Sequence, residues 1–473
     1  MTETAVRAPW FENPLTRILR HEYAAVMHFD AAPPEALAPP PPAKACQLYV
    51  HIPFCESLCP FCSFHRVQFR EEKAHGYFAA LRHEIVAYHA RGFAFSDVYV
   101  GGGTPSVAPA ELVRTLELIR KLWPIRTVSV ETNPNHLTEE VFAALRSVGV
   151  GRLSVGVQSF DDELLKEMGR YAPYGSGALT AERIAAAHGR FATLNIDMIF
   201  NFARQTRESL ERDLAILCDL KVDQASFYPL MSAASARRRM QRSLGQSDPA
   251  RRYEFYERIL GALSADYRAS SAWCFSRRRP PGSEPPIDEY IVDQDDYVGV
   301  GSGSFSYVGG RMYSTTFSLN RYRELIAAGR PTVTGCKVLT LKSRMRYDFL
   351  VRLFGLSLPY AYIEAKYGRS FWWRMAPELA AMRAIGATRH EADAIRLTRR
   401  GMYCWVLMMA EFFSAVNEFR DEMRLHIREE LMGEPAAGGY CGKSLHRSGR
   451  GTVRLMKDVS GSERPARLLD RRR

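Results

Sequence analysis

The stretch Tyr49-Val-His-Ile-Pro-Phe-Cys-Glu-Ser-Leu-Cys-Pro-Phe-Cys-Ser-Phe64 decides the fold, because it sets three cysteines close together after a short β-branched run. The cysteines are Cys55, Cys59 and Cys62, and their spacing is C-x3-C-x2-C. Iron–sulfur clusters that only transfer electrons are normally held by four cysteine thiolates. Three thiolates can hold three irons of a four-iron cluster and leave the fourth iron open. The motif therefore predicts an iron–sulfur site that binds a small molecule.

Two other interpretations of these cysteines are open from the residues alone. A structural zinc site needs four ligands, usually two C-x2-C pairs or a mixture of cysteine and histidine. His51 and His65 flank the motif and could complete such a site. The three thiols could also be buried without any ligand. The motif does not stand alone, however, and the sequence around it favours the cluster.

The longer run Tyr-Val-His-Ile-Pro-Phe-Cys resembles the signature of one branch of the radical S-adenosylmethionine superfamily. That branch is the oxygen-independent coproporphyrinogen III oxidase-like (HemN-like) family. The resemblance implies a [4Fe–4S] cluster whose open iron binds the amino and carboxylate groups of S-adenosylmethionine. Cleavage of the sulfonium then gives a 5′-deoxyadenosyl radical that takes a hydrogen atom from substrate. The cofactors supply this chemistry, and the protein supplies positioning and exclusion of water.

The composition indicates a large protein of a reducing compartment. The 473 residues are 46% hydrophobic, which allows two or three domains. The remaining cysteines are scattered rather than arranged as a disulfide framework. Residues 1–30 lack the apolar core of a secretion signal, and the strongest apolar run, residues 403–410, is too short to span a bilayer. We expect a cytoplasmic protein without a membrane span.

The formal charge of +12 does not indicate a nucleic-acid partner. Residues 443–473 contain ten Lys or Arg and three Asp or Glu, a balance of +7, which leaves +5 (12 − 7) for all the rest. This tail is rich in Gly, Ser and Arg, and such composition predicts disorder. We therefore expect no specific nucleic-acid partner, and we expect a monomer.

The pattern along the chain divides it into five parts. Residues 1–45 read as a helical lead-in followed by a linker in which residues 31–45 hold six Pro and six Ala. We expect a core barrel at 46–240, a substrate-covering segment at 241–335, a mostly helical C-terminal domain at 336–432 and a basic tail at 433–473.

Short β-branched runs alternate with amphipathic stretches from residue 48 onward, which favours a parallel α/β domain. The predicted strands are residues 48–52, 97–100, 127–131, 152–157, 195–199 and 224–228. The predicted helices include 74–91, 109–122 and 138–148, and later 343–356, 359–367 and 401–431. Six strand–helix units match the partial (β/α)6 barrel of the superfamily that the motif resembles. The predicted fold class is therefore α/β, a partial (β/α)6 radical-SAM barrel with a mostly helical C-terminal domain.

A glycine run follows the second predicted strand, in Gly101-Gly-Gly-Thr-Pro-Ser106. Glycines let a backbone approach a ligand closely and expose its N–H groups, although a tight turn would use the same residues. The resemblance implies that Gly102, Gly103 and Thr104 contact the amino group of S-adenosylmethionine.

Polar residues also end the later strands. Glu131 ends the third one, where a carboxylate suits ribose hydroxyls, although a surface acid is the simpler interpretation. The resemblance assigns further S-adenosylmethionine contacts to Tyr49, Phe61, Gln158, Arg170 and Asp197, the last three around a second molecule. The residues alone leave a buried Arg152–Asp197 ion pair open, and a purely structural Phe61.

Two other segments are of interest downstream. A Gly-x-Gly-x-Gly run lies at residues 299–303 and resembles a segment that covers the active site in the family. Arg277, Arg278, Arg279 and Arg311 could pair with propionate carboxylates, because the guanidinium fork suits carboxylates.

The sequence departs from the family pattern at the substrate side. Coproporphyrinogen oxidases carry a fourth cysteine two positions after the third, where this chain has Phe64. The run Asn201-Phe-Ala-Arg-Gln-Thr206 replaces a common Gly-Leu-Pro, and Tyr171 stands where relatives have histidine. No catalytic residue beyond the cofactor contacts can be assigned from these segments.

The resemblance thus implies a radical S-adenosylmethionine enzyme that acts on a tetrapyrrole, by oxidative decarboxylation or by methyl transfer. One or two molecules of S-adenosylmethionine would bind, and an electron donor such as flavodoxin or ferredoxin would reduce the cluster. The alternative is a haem chaperone of the same family, which keeps the cluster but does not turn over substrate. Such chaperones also carry Phe two residues after the third cysteine.

Overall fold

The structure is a computed structural model and describes residues 9–32, 45–231, 248–287 and 295–427. All of these residues belong to one compact unit, Met1–Ala436. The tail predicted at 433–473 and most of the predicted linker lie outside the described residues.

Strands and helices alternate through the first half of the chain. In order, the elements are α1 (Glu12–Val26), β1 (Asp30–Ala31), β2 (Cys46–Ile52), β3 (Phe54–Cys55), β4 (Val67–Gln68), α2 (Glu71–Ala90), β5 (Phe95–Gly102), α3 (Pro109–Leu122), β6 (Thr127–Thr132), α4 (Glu139–Ser147), β7 (Arg152–Gln158), α5 (Asp162–Glu167), α6 (Tyr171–Tyr174), α7 (Gly177–Ala187), β8 (Thr193–Phe200), α8 (Arg207–Leu220) and β9 (Gln224–Pro229). The six predicted strands are confirmed, each to within two residues at either end.

The second half contains shorter strands and a long final helix. Its elements are α9 (Pro249–Leu263), β10 (Tyr267–Ala269), β11 (Cys274–Arg277), β12 (Tyr297–Val300), β13 (Phe305–Val308), β14 (Arg311–Thr315), α10 (Leu319–Ala327), β15 (Val333–Val338), α11 (Leu341–Phe354), β16 (Ser357–Pro359), α12 (Tyr360–Tyr367), α13 (Ser370–Arg374), α14 (Ala376–Ala384), β17 (Thr388–His390), β18 (Ala394–Leu397) and α15 (Arg399–His426). The three predicted helices of this half are present, although the first ends at Phe354 and the last at His426. Residues 428–431 of the last prediction lie outside the described residues.

The six predicted strands form the parallel centre of one sheet, in the order β2-β5-β6-β7-β8-β9. Helices connect each of these strands to the next, as in a (β/α) barrel. The carboxyl ends of all six strands therefore lie at the same edge of the sheet. In such folds, that edge and the loops after it carry the functional residues.

Alternating side chains along β2 separate the core from the inner face of the sheet. Leu48, Val50 and Ile52 are fully buried in the hydrophobic core that includes helix α2. Tyr49 and His51 point to the opposite face, because successive side chains of a strand alternate. There Tyr49 stacks on Tyr99 of β5, with the ring centroids 6.2 Å apart.

Further strands, most of them from the segment expected to cover the substrate, extend both edges of this sheet. On one side, β11 and then β10 extend it antiparallel beyond β9. On the other side, β12 pairs parallel with β2, and β13, β14, β15 and β1 follow antiparallel. The glycine-rich run that follows β12 is thereby fixed beside the strand that leads to the cysteines.

The C-terminal region packs helices around a small sheet of order β16-β18-β17. Helix α15 begins at an N-cap in which the Thr398 side chain accepts a hydrogen bond from Gly401 N. Trp405 of this helix is completely buried and donates its indole N–H to the carbonyl of Leu350 at 2.9 Å. Within the described ranges, no helix combines the length and apolar character needed to cross a membrane.

Candidate functional site

The three cysteines lie in a closed loop directly after β2. Strand β3 contains Cys55 and pairs with β4, so the loop returns to its own starting point. Within it, Cys62 N donates to the carbonyl of Cys59 at 3.2 Å. Arg66 holds the loop from inside, because its Nη2 donates to the carbonyls of both Cys59 and Cys62, the latter at 2.9 Å. The loop is thus ordered by its own backbone and by one buried guanidinium.

The cysteine side chains face polar donors from other strands. Cys55 and Cys59 are buried, and Cys62 is partly exposed. Thr104 Oγ1 donates to Cys55 Sγ at 3.6 Å, and Arg170 Nη1 donates to Cys59 Sγ at 3.5 Å. Burial raises the pKa of the Cys55 thiol to about 12, with the neighbouring Cys62 adding to the effect. Metal coordination removes the proton from such a thiol.

The chemistry of the donor set suits an iron–sulfur cluster. Cysteine thiolates are the ligands that such clusters take, and all three cysteines lie in one ordered loop. Thr104 and Arg170 already donate to the sulfurs of Cys55 and Cys59. The three cysteines therefore fit a [4Fe–4S] cluster.

The glycine run forms a close backbone contact with the cysteine loop. A Cβ on Gly103 would lie 2.6 Å from the carbonyl oxygen of Phe54, and a Cβ on Gly102 would lie 2.6 Å from the His51 ring. Gly102 also has a φ of 116°, which disfavours other residues. The expectation of free N–H groups here is wrong, since Gly102 N donates to Glu131, Gly103 N to Ile52 and Thr104 N to Phe54.

Glu131 lies at the end of β6 with its carboxylate aimed across the strand ends. Its Oε1 accepts from the Tyr99 hydroxyl at 2.8 Å, and its Oε2 accepts from Gly102 N at 3.0 Å. Removal from water raises its pKa to about 7, and the negative charge of Asp197 contributes to the rise. Glu131 is therefore an ionisable acceptor that is poised near neutral pH.

Gln158 ends β7 in a conformation that side chains rarely adopt. Its φ is 75°, and the β7–β8 register shifts between Gly156 and Gln158. Its amide Nε2 would lie 3.0 Å from a Cβ on Gly156, so a larger residue at position 156 would have to displace the Gln158 side chain. Backbone strain of this kind is concentrated at functional sites.

Asp197 and Arg152 lie within a polar network on the inner face of the sheet. Asp197 accepts from Ser154 Oγ at 2.8 Å, from Asn195 Nδ2 at 2.8 Å and from the Tyr228 hydroxyl at 3.4 Å. Arg152 is almost fully buried, and its Nε donates to Gln224 Oε1 at 2.9 Å. The interior of the barrel is thus polar near the middle of the strands.

Phe61 and Tyr49 contact different parts of the site. Phe61 packs edge-on against Phe202 at 6.1 Å, in a small hydrophobic cluster that also contains Cys59. The Tyr49 hydroxyl is 3.0 Å from His51 Nδ1. Phe61 therefore lines the cysteine loop, whereas Tyr49 lies deeper along β2.

The structure also reveals a buried histidine pair. His51 Nε2 is 3.0 Å from the carbonyl of His65, and the two rings stack at 5.8 Å. Because a carbonyl only accepts, Nε2 of His51 donates and its Nδ1 accepts from Tyr49. Burial lowers the pKa of His51 to about 4, so its ring is neutral. The sequence marked His51 and His65 as residues that flank the cysteine motif, but it suggested them only as zinc ligands and not as a stacked pair.

The glycines after β12 lie against this pair. A Cβ on Gly303 would be 2.4 Å from the His65 ring, and one on Gly301 would be 2.6 Å from the His51 carbonyl. Helix α2 fixes the segment, because Glu84 accepts from Gly301 N at 2.8 Å and the Tyr77 hydroxyl accepts from Ser302 N at 3.0 Å.

Comparisons with known proteins agree with this geometry. Residues 49–216 match the model of the Radical SAM superfamily. The heme chaperone HemW of Mycobacterium tuberculosis (strain ATCC 25618 / H37Rv) is 30% identical over 394 residues, which cover 79% of this chain and 97% of that protein. The chain belongs to the HemN-like family of radical S-adenosylmethionine proteins. The family's characteristic cofactors are a [4Fe–4S] cluster and S-adenosylmethionine.

Coproporphyrinogen oxidases are also among the relatives of this chain. The oxygen-independent coproporphyrinogen III oxidase of Escherichia coli (strain K12) is 26% identical over 387 residues, covering 76% of this chain and 83% of that enzyme. The solved structure of coproporphyrinogen III oxidase (HemN) from Escherichia coli matches with a TM-score of 0.67 at 23% identity, over 83% of this chain and 93% of that one. The predicted partial barrel fold is therefore confirmed.

In this HemN-like chain, Phe64 borders the cysteine loop and is partly exposed, at 44%. Its ring lies under the Arg420 guanidinium of α15, with 4.8 Å between the guanidinium carbon and the ring centroid. Arg420 also lies 5.6 Å from the Phe305 ring and donates to Asn417 at 3.1 Å. The C-terminal helix thus reaches the cysteine loop, which no sequence motif indicated.

The arginines suggested as propionate partners of this HemN-like protein lie elsewhere. Arg279 pairs with Asp223 at 2.8 Å, and Arg277 donates to the carbonyl of Lys221 at 3.2 Å. Both contacts are just before β9, at the amino ends of the strands, and Arg278 contacts Asp266 there. Arg311 begins β14 on an outer part of the sheet. These contacts do not bring the four arginines to the edge of the sheet that carries the cysteine loop, and their pairing with propionates stays a prediction.

Proposed function

We propose that this protein is a radical S-adenosylmethionine enzyme that acts on a tetrapyrrole macrocycle. One observation carries the proposal: the buried cysteine loop and Glu131 lie at the same edge of the sheet, with donors already directed at two of the three sulfurs. The cysteines Cys55, Cys59 and Cys62 are the proposed cluster ligands. The cluster and S-adenosylmethionine together supply the radical when bound.

The residues around the loop are proposed to bind S-adenosylmethionine. Because the N–H groups of Gly102, Gly103 and Thr104 are used within the protein, contact with an amino group falls to carbonyl oxygens of this run. Glu131 is the acceptor for ribose hydroxyls, since its carboxylate is fixed by Tyr99 and Gly102. Phe61 lines the loop and excludes water from it.

A second molecule of S-adenosylmethionine is proposed beside the first. Gln158 ends β7, and Asp197 lies within the neighbouring strand β8, paired with Gly156. Arg170 reaches toward them by donating to the carbonyl of Gly156. Gln158 is held in a strained conformation, which points to a ligand-binding role. Tyr49, whose hydroxyl donates to His51 Nδ1 at 3.0 Å, is proposed as a further S-adenosylmethionine contact outside this second site. A methyl donor separate from the radical source would need such a second site.

We propose methyl transfer to the macrocycle rather than decarboxylation of propionates. Coproporphyrinogen oxidases carry a cysteine where this chain has Phe64, and a phenyl ring cannot supply a thiol. The Phe64 ring instead presents an apolar face beside the loop, beneath Arg420. Such a face suits a flat aromatic ligand. A relative named anaerobilin synthase, from Escherichia coli O157:H7, is 25% identical over 371 residues covering 75% of this chain and 81% of that protein, and it supports a reaction other than that of the oxidase.

The remaining parts of the proposal follow from the family. An electron donor such as flavodoxin or ferredoxin reduces the cluster, and the protein acts as a cytoplasmic monomer. Residues 46–240 form the catalytic core, 241–335 cover the substrate, and 336–432 contribute the helix that contacts Phe64.

Haem delivery without turnover is the second candidate. It is favoured by the HemW relative, which this chain covers over 97% of its length. Phe64 also fits the pattern of such chaperones. Under this proposal, haem binds at the same edge of the sheet and leaves unchanged to an acceptor protein.

A single anaerobic experiment separates these functions. The reconstituted protein is given reductant, S-adenosylmethionine with a deuterated methyl group, and either haem or coproporphyrinogen III, and the products are weighed by mass spectrometry. Deuterated methyl mass on the tetrapyrrole supports the proposal. Loss of carboxyl groups would establish decarboxylation despite Phe64, and bound but unchanged haem would establish the chaperone.

The matched control is Cys59→Ala, which removes a proposed ligand while it leaves the strands in place. Any product that this variant still forms cannot arise from the radical. A Phe64→Cys variant tests the proposal of methyl transfer rather than decarboxylation, because it restores the thiol that the oxidases carry. Decarboxylation gained by Phe64→Cys alone would show that this position selects the reaction.

A further inference from the structure

The side chain of Asn133 connects two residues that donate to the cysteines. It lies just after β6, and its Nδ2 donates to Thr104 Oγ1 at 2.7 Å. Its Oδ1 accepts from Arg170 Nη2 at 3.0 Å. A guanidinium offers only donors, so the amide oxygen must face Arg170 and the amide nitrogen must face Thr104. The orientation of this amide is thus determined by its partners.

The bond to Thr104 determines where the threonine proton points. The Thr104 hydroxyl accepts the Asn133 N–H with a lone pair, and its own proton is then directed to Cys55 Sγ at 3.6 Å. Thr104 is almost fully buried, so water does not compete for that proton. Asn133 therefore sets the direction of one O–H···S hydrogen bond.

The bond to Arg170 fixes the second donor. Arg170 Nη2 is held by Asn133 Oδ1 and by the carbonyl of Gly156, and the guanidinium lies 4.2 Å from the centroid of the Tyr174 ring. With Nη2 and the plane of the group fixed, Nη1 points at Cys59 Sγ at 3.5 Å. A Cβ at position 156 would lie 3.0 Å from the Gln158 amide nitrogen and 3.5 Å from Asn133 Oδ1, so Gly156 leaves room for the Gln158 amide beside this network.

We propose that Asn133 is a positioning residue that raises the reduction potential of the [4Fe–4S] cluster. It does so by ordering two hydrogen bonds to ligating sulfurs, one through Thr104 and one through Arg170. Hydrogen bonds to the sulfurs stabilise the more negative, reduced cluster and are among the factors that set its potential. The inference rests on the proposed ligation by Cys55, Cys59 and Cys62, but it does not depend on the substrate or on the reaction catalysed.

The test compares Asn133→Leu and Asn133→Asp with the wild-type protein. Leucine is similar in size and makes no hydrogen bond, so both sulfur donors lose their direction. Aspartate accepts but does not donate, so the Thr104 proton turns to it, and its charge also opposes reduction. The measurement is a redox titration of the reconstituted full-length protein without S-adenosylmethionine, followed by the electron paramagnetic resonance signal of the reduced cluster.

We expect the ratio of reduced to oxidised cluster at a fixed applied potential to fall roughly three- to ten-fold in Asn133→Leu. For a one-electron couple this corresponds to a shift of about 30 to 59 mV toward negative potential. Asn133→Asp should shift further in the same direction. Since Asn133 acts through Thr104, the shift of Asn133→Leu/Thr104→Val should be smaller than the sum of the two single shifts.

Asn135→Leu is the matched control. Asn135 lies in the same turn but donates to Glu56 Oε2 at 2.7 Å and contacts neither sulfur donor. The reduction potential of the cluster in Asn135→Leu should therefore equal that in the wild-type protein. An unchanged potential in both Asn133 variants overturns the proposal, as does strict additivity in the double variant. Loss of iron from both Asn133 variants, while Asn135→Leu and Thr104→Val load four irons, also overturns it, because Asn133 would then shape the loop only. If Cys59→Ala kept the cluster, the proposed ligation itself would be wrong, which is a separate outcome.

Discussion

The hydroxyl of Tyr99 donates a hydrogen bond of 2.8 Å to Oε1 of Glu131, and this bond holds a carboxylate across the strand ends whose pKa is raised to about 7. Because the ionised form is the better acceptor for ribose hydroxyls, protonation should weaken binding of S-adenosylmethionine. We expect the dissociation constant to increase about ten-fold between pH 8 and pH 6, since roughly one tenth of the carboxyl is ionised at pH 6. Anaerobic calorimetry at several pH values measures this.

Glu131→Gln is the control for that prediction. Its amide does not titrate, so the variant should bind more weakly at pH 8 but with a constant that no longer changes with pH. A wild-type protein with flat pH dependence would show that Glu131 does not contact the ligand.

In the ligand-free protein the same rise in the pKa of Glu131 also affects the stability of the fold. The carboxyl has its ordinary pKa of 4.5 in the unfolded chain and a pKa of about 7 in the folded protein. Between these two pH values the folded state binds more protons than the unfolded state, so the contribution of Glu131 to stability decreases as the pH rises through that range.

Replacing Cys59 with alanine should remove the brown four-iron absorption and all cleavage of S-adenosylmethionine. Two thiolates remain, and they leave two irons without protein ligands instead of one. Iron analysis and visible spectroscopy after anaerobic reconstitution test this. Cys218→Ala is the control, because Cys218 lies on α8 and should keep full iron content. A Cys59→Ala protein that kept the absorption would show that the cluster ligands are misassigned.

Replacing Gly103 with alanine should prevent cluster assembly, although a glycine-to-alanine change is mild at positions where the added Cβ meets no neighbour. The new Cβ would lie 2.6 Å from the carbonyl oxygen of Phe54, which is backbone and directly precedes Cys55. Relief of that contact must displace the cysteine loop. Gly261→Ala on α9 is the control, since nothing lies within 4 Å of its Cβ position and Ala favours a helix. Normal iron loading by Gly103→Ala would contradict the close approach.

Replacing Trp405 with alanine should destabilise the fold by about 3–5 kcal/mol, which is the usual cost of removing a buried aromatic side chain. The side chain is completely buried, and its loss leaves the carbonyl of Leu350 without its indole donor. Trp373→Ala is the control, because that side chain is 63% exposed and should change the free energy of unfolding by less than about 1 kcal/mol. Urea denaturation of both variants gives the comparison. Equal effects would show that α15 does not anchor the C-terminal region.

Deletion of residues 441–473 should leave cluster loading and the free energy of unfolding unchanged. The composition of this tail, rich in Gly, Ser and Arg, predicts that it adds no folded element. Iron analysis and urea denaturation of the shortened chain test the expectation. Reduced loading or stability would show that the tail contributes to the fold.

Local patterns allowed the strands and cofactor motifs to be predicted, because each is written in a short stretch. The alternation around Leu48 and Val50 and the C-x3-C-x2-C spacing need no knowledge of distant residues. The contact between Phe64 and Arg420 could not be predicted, since it depends on how α15 packs against the loop. The location of Arg277 and Arg279 could not be predicted for the same reason, because a row of arginines shows charge but not at which end of a strand it lies.

The parallel pairing of β12 with β2 has a consequence for engineering. The strand that leads to the cysteines and the glycine-rich run share a hydrogen-bonded ladder, and Gly301 lies against the His51 backbone. The glycine-rich run therefore cannot be exchanged by itself. A chimera that takes its glycine-rich run from a relative, in order to change substrate choice, would also need that relative's counterparts of strand β2 and helix α2. These three parts contact one another and would have to be exchanged together.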